Sequence, residues 1–117
     1  MEERRHLNMI NEVAVNPLPD MVEYQEGSVV SKTLIQKKTG TVTLFAFDKG
    51  QGLSEHTAPY DAVVHVLDGV GTMVIDGKPV EAKAGELVIM PANIPHSVEA
   101  KERFKMMLIM IREKVEK

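Results

Sequence analysis

Cysteine is absent from the 117 residues. That absence excludes disulfides, thiolate metal sites and cysteine nucleophiles together, and it fits a cytoplasmic protein. Positive charge is also in short supply. Fourteen Lys and Arg stand against 17 Asp and Glu, for a net charge of −3. Nucleic-acid binding rests on clustered Lys and Arg, so nucleic acid is not an expected partner. Long apolar runs are missing too. The longest, MMLIMI at 106–111, falls far short of the roughly 20 residues a membrane helix needs. The start, MEERRHLNMI, carries charges where a signal peptide requires an apolar stretch. No internal repeat, low-complexity tract or linker interrupts the chain.

What is present is enough for one globular core. Hydrophobic residues make up 44% and charged residues 26%, close to the average of globular domains. A chain of this length suits a single domain. Strand signals begin near residue 29 and continue to the end. TVTLFAF (41–47) alternates, and AVVHVL (62–67), TMVI (72–75), ELVIM (86–90) and RFKMMLIMI (103–111) follow, each bounded by Gly, Pro, Asp or Asn. Asp76-Gly77 is a two-residue hairpin signal, because a type I′ turn needs positive φ at both central positions. Short strands at this spacing predict an all-β sandwich or barrel. Residues 1–28 are expected as an N-terminal arm or edge strand and 29–117 as the barrel. Pro17 and Pro19 break regular structure within the arm. The last strand is apolar on both faces, so it must be covered twice, and either an overlying loop or a subunit interface would supply the second cover. Eight methionines suit such adaptable packing.

Four histidines are the main chemical resource: His6, His56, His65 and His96. His6 lies in a charged terminal segment and reads as simply exposed. His56 follows two glycines and precedes Pro59. His96 ends the phrase PANIPH, where two prolines fix the backbone that aims it. Either ring could merely hydrogen-bond a carbonyl, or both could form a site.

These two segments resemble the paired motifs of the cupin superfamily, G-x5-H-x-H-x3,4-E-x6-G and G-x5-P-x-G-x2-H-x3-N. Gly50, His56 and Gly69 fit the first, and Gly85, Pro91 and His96 fit the second, with residues 70–84 between them. The resemblance covers residues 40–111 and implies a double-stranded β-helix, or jelly-roll barrel. Departures fall on the ligand positions. The second histidine falls on Ala58, the glutamate on Ala62, the glycine on Asn93 and the final asparagine on Ala100. Of the four usual metal ligands, the resemblance leaves His56 and His96.

A third ligand is therefore the open point, since catalytic zinc keeps three protein ligands and the iron oxygenases use two His and one carboxylate. Asp61 is the candidate, one residue before the vacant glutamate position. Pro59-Tyr60 breaks the strand register, so alternation does not carry across from His56. Along AVVHVL, alternation turns residues 62, 64 and 66 inward and His65 outward. Tyr60, Val64 and Met90 are expected in the pocket wall. Phe45, Phe47, Met73 and Ile94 fit either wall or core.

The resemblance implies a barrel that binds a small organic ligand, with or without a weakly held divalent metal (Zn, Fe, Mn or Ni) on two histidines. Its alternative is a metal-dependent enzyme of dioxygenase, isomerase or cyclase type, in which His56 or His96 could also act as a base. No catalytic residue is assigned and no organic cofactor is implied. A homodimer paired through an edge is expected, with segment 8–24 and the last strand as its agents.

Overall fold

The computed structural model describes residues 14–113. His6 and the first part of segment 8–24 lie outside those residues. Eight strands follow a short 3-10 turn at Leu18–Asp20. They are β1 (Val29–Lys37), β2 (Gly40–Phe47), β3 (Gly52–His56), β4 (Asp61–Ile75), β5 (Lys78–Lys83), β6 (Leu87–Met90), β7 (His96–Glu99) and β8 (Phe104–Ile111). Every pairing is antiparallel. Among the described residues no helix is long and apolar enough to cross a membrane.

The strand β4 organises the molecule. The sequence divides this region into two apolar runs around Asp68-Gly69, yet the structure holds one strand of 15 residues. Its first half pairs with β6 and β8, and its second half with β5 and β7. The change of partners occurs at an irregularity between Val66 and Asp68, where Gly69 adopts φ 74°. Glycine carries this bend without strain, and the sheet turns the corner without a chain break. The outcome is two curled sheets, β1-β2-β8-β4-β6 and β5-β4-β7-β3, closed over one core.

Local chemistry accounts for the turns. Asp76 and Gly77 take φ 52° and 80° and join β4 to β5, as the hairpin signal predicts. Alternation along β4 also follows the sequence pattern: Ala62, Val64 and Val66 are buried, while Val63, His65 and Leu67 are half-buried on the outer face. The main core gathers Phe47, Val64, Val66, Met73, Phe104 and Met106. At one end of β8, Phe104 stacks on Phe47 with ring centres 4.7 Å apart, and Phe45 extends the stack. Phe45, Phe47 and Met73 thus belong to the core.

The described part of the arm folds back over the outside of β2, β4 and β8. Leu18, Met21, Val22 and Tyr24 cluster with Leu34, Leu44, Ala46, Leu67 and Met107. Polar contacts fasten it. The Tyr24 hydroxyl donates to Asp68, and the Lys105 ammonium donates to the Pro19 carbonyl. Arg103 and Lys105 both lie over the Tyr24 ring, 5.2 and 5.0 Å from its centre, a placement the ring's negative face favours. Burial first, then the hydrogen bond to Asp68, pushes the Tyr24 hydroxyl above its usual range. The Arg103 guanidinium, 2.7 Å from Asp48, and the Gly27 amide hold the Asp48 carboxyl down to about 2.

Candidate functional site

The other end of β8 opens onto the only place where two of the described histidines meet. His56 closes β3 and His96 opens β7, and the two are register partners across that pair. Their rings stand edge to face with centres 4.5 Å apart. His96 is buried and His56 is exposed, so the pair spans the boundary between core and solvent.

Each ring is held the same way. Nδ1 of His56 lies 2.9 Å from the Ser54 carbonyl, and Nδ1 of His96 lies 3.0 Å from the Ile94 carbonyl. A carbonyl oxygen can only accept, so each Nδ1 carries the proton. In the neutral imidazole that leaves Nε2 as the free lone pair on both rings. This backbone anchoring of one nitrogen is how ligating histidines are usually oriented.

The carbonyl that anchors His96 belongs to the loop PANIP. Asn93 there takes φ 66°, the left-handed conformation that asparagine tolerates better than most residues. Two hydrogen bonds tie this loop to the neighbouring segment 58–61. The Asn93 amide donates to the Ala58 carbonyl at 2.8 Å, and the Ala92 amide donates to Asp61 Oδ1 at 2.9 Å. A third, from the Asp76 amide to the Pro95 carbonyl at 2.8 Å, anchors the far side.

Asp61 is therefore not brought together with the histidines. It sits exposed on the first position of β4, and its carboxylate caps the loop that carries His96. No sequence pattern shows this role, because it depends on a contact between residues 31 positions apart. Among the described residues, no group of three or more His, Asp or Glu is placed to hold a metal ion. His65 lies on the outer face between Met107 and Leu87, away from the pair.

Behind the two rings is a narrow apolar cavity of about 40 Å³. Its wall includes Tyr60, Met90, Met106, Leu108 and Met110, with Ala58 and Ala62 beside the histidines. Of the expected wall residues, Tyr60 and Met90 are there. Val64 is fully buried in the main core and is not among them. The guanidinium of Arg112 lies over the Tyr60 ring, 4.9 Å from its centre. Met106, Leu108 and Met110 are the inner face of the last strand, which the sequence marks only as apolar on both sides.

The comparisons with known proteins agree on the family. The Cupin domain family model matches residues 43–112. A Streptococcus pyogenes protein of unknown function is 33% identical with a TM-score of 0.87, over 93% of this chain and 96% of that one. A cupin 2 conserved barrel domain protein from Leptotrichia buccalis is 51% identical with a TM-score of 0.79, over 81% of this chain but only 46% of that one. A cupin superfamily protein from Desulfitobacterium hafniense is 27% identical with a TM-score of 0.82, over 91% and 96% of the two chains. No curated protein matches the chain.

Proposed function

The chain belongs to the cupin family, and on that premise we propose that it binds a small organic ligand at the mouth of its barrel, against His56 and His96. The observation that carries this reading is the shared anchoring of the two rings. Both Nδ1–H groups are spent on backbone carbonyls, so two Nε2 lone pairs are left free at the rim of an apolar cavity. An apolar pocket with a few convergent polar groups is the usual form of a small-molecule site.

Size decides how a ligand enters. A cavity of about 40 Å³ holds no more than a few waters, far below the volume of an organic molecule. The ligand accordingly reaches the pair from the solvent side, where His56 is exposed, and makes room by moving Met90, Met106 or Met110. Unbranched thioether side chains change rotamer more readily than branched ones. The Nε2 atoms accept hydrogen bonds from hydroxyl or amine groups of the ligand, while Tyr60 and the methionines cover its apolar part.

A divalent metal fits this donor set in part. Two imidazoles anchored through Nδ1 are suitable ligands for Zn, Fe, Mn or Ni, and the remaining positions fall to water or to the ligand itself. Bound there, a cation would supply Lewis acidity to a ligand oxygen. Two protein donors make the affinity modest. In this reading Asp61 stays with the Ala92 amide and acts by holding the PANIP loop, and the working unit is a cytoplasmic homodimer.

The test is titration of tag-free protein with Co²⁺ or Ni²⁺, followed by absorbance and calorimetry. We expect weak saturable binding, lost in His56→Ala and in His96→Ala and kept in His65→Ala. Asp61→Ala should weaken it several-fold without removing it. Binding that survives both histidine substitutions overturns the site.

A further inference from the structure

The wall of the histidine cavity is rich in sulfur and bare of carboxylate. Ala62 sits in β4 between β6 and β8, and its register partners there are Met90 and Met110. Directly paired residues of neighbouring strands share one face of the sheet, and all three line the cavity with His56 and His96. Among the described residues no Asp or Glu belongs to that wall, and the chain has no cysteine. Besides Tyr60, the side-chain donors there are the two imidazoles and the thioethers of Met90, Met106 and Met110.

We propose that this pocket is a copper(I) site, in which Nε2 of His56 and Nε2 of His96 are joined by the thioether sulfur of Met90 or Met110. The proposal rests on the histidine site above and names the cation that site selects. Thioether sulfur is a soft donor that suits copper(I) and serves hard cations poorly. The wall also supplies no negative group, and the Born cost of burying an ion rises with the square of its charge. A monovalent ion therefore costs about a quarter of what a divalent ion of equal radius does. Room acts in the same direction. A cavity of about 40 Å³ accepts a bare ion but not one that keeps a shell of water. Copper(I), with its filled d shell, is satisfied by two or three soft donors.

The local structure supplies those donors in usable form. Each Nδ1 hydrogen is held by a backbone carbonyl, so both rings present a lone pair at Nε2 without losing a proton. Ala58 and Ala62 leave space beside the rings, and a methionine chain has enough rotatable bonds to bring its sulfur into that space. His56 is exposed and His96 buried, so an ion arriving from solvent meets His56 first and the methionines last.

Anaerobic titration with tetrakis(acetonitrile)copper(I), in competition with bicinchoninate, tests this. The wild type should withdraw copper stoichiometrically from the chelator, and X-ray absorption of that complex should show sulfur beside nitrogen around the metal. Combining Met90→Leu with Met110→Leu nearly conserves side-chain volume. It should weaken copper(I) binding at least as much as losing a group that orients a ligand does, about tenfold. The same double variant should bind Co²⁺ as the wild type does. Met73→Leu, in the core and outside the cavity wall, should change neither affinity. Far-ultraviolet circular dichroism of each variant shows that the barrel persists. Copper coordinated without sulfur, or held equally well by the double variant, overturns the thioether ligand and leaves the histidine site standing. A wild type that takes no copper from the chelator overturns the copper site. So does copper retained in both His56→Ala and His96→Ala, while Co²⁺ titration of those two variants decides the histidine reading separately.

Discussion

The two ends of β8 are built differently. At Phe104 the barrel is filled by stacked aromatic rings, Phe45, Phe47 and Phe104, with Met73 and Val66 against them. At Met110 it is filled loosely by methionine and leucine around a cavity, and a pair of imidazoles lies at the rim. Aromatic rings have few rotamers and large contact areas, whereas methionine adapts. One end fixes the barrel and the other can yield to a ligand. The same strand thus serves stability at its start and, in the proposed reading, binding near its end.

The largest expected effect comes from damage at the packed end. Phe104→Ala removes a fully buried ring and should cost about 3–5 kcal/mol of stability, measured by urea unfolding. Gly71→Ala strikes the same point from the other side. A Cβ there would stand 2.4 Å from the Phe104 ring, and overpacking of this kind costs about 1–3 kcal/mol. Met110→Ala at the open end should cost less, about 1–2 kcal/mol, because the residue is only half-buried. It should also enlarge the cavity and alter ligand affinity, which neither change at Phe104 or Gly71 does directly. Equal losses at Phe104 and Met110 would dissolve the contrast.

The arm offers a smaller, pH-dependent test. The Asp48 carboxyl titrates near 2 in the folded protein, below its ordinary value of 3.8. Its contribution is therefore fully present above the ordinary value and is lost as pH falls from there toward 2. Asp48→Asn should flatten that part of the acid-unfolding curve. A curve identical to wild type between pH 4 and about 2 would remove Asp48 from the account.

Much of this arrangement is legible in the sequence, and particular residues show where legibility ends. Alternation along AVVHVL places Ala62 and Val64 inward and His65 outward, because a strand has a period of two and one buried face. Asp76-Gly77 announces its turn because few residues accept positive φ. His56 and His96 are recognisable through their motifs, and the structure makes them neighbours. Asp61 is not readable in the same way. Its orientation follows a proline-broken segment, and its partner is an amide 31 residues away. The bend in β4 is likewise hidden, since Gly69 looks like a strand boundary until a sheet corner forms around it. The Tyr24–Asp68 contact joins residues 44 apart, and no local pattern encodes it.

The central claim is that His56 and His96 present two free Nε2 atoms at one site. Long-range ¹H–¹⁵N NMR of histidine-labelled protein reads this directly, because the two tautomers give different nitrogen shifts. The account predicts that both rings carry the proton on Nδ1, and that zinc shifts Nε2 of His56 and His96 together while leaving His65 unmoved. A proton on Nε2 of either ring, or zinc-induced shifts that spare one of the two, would contradict it.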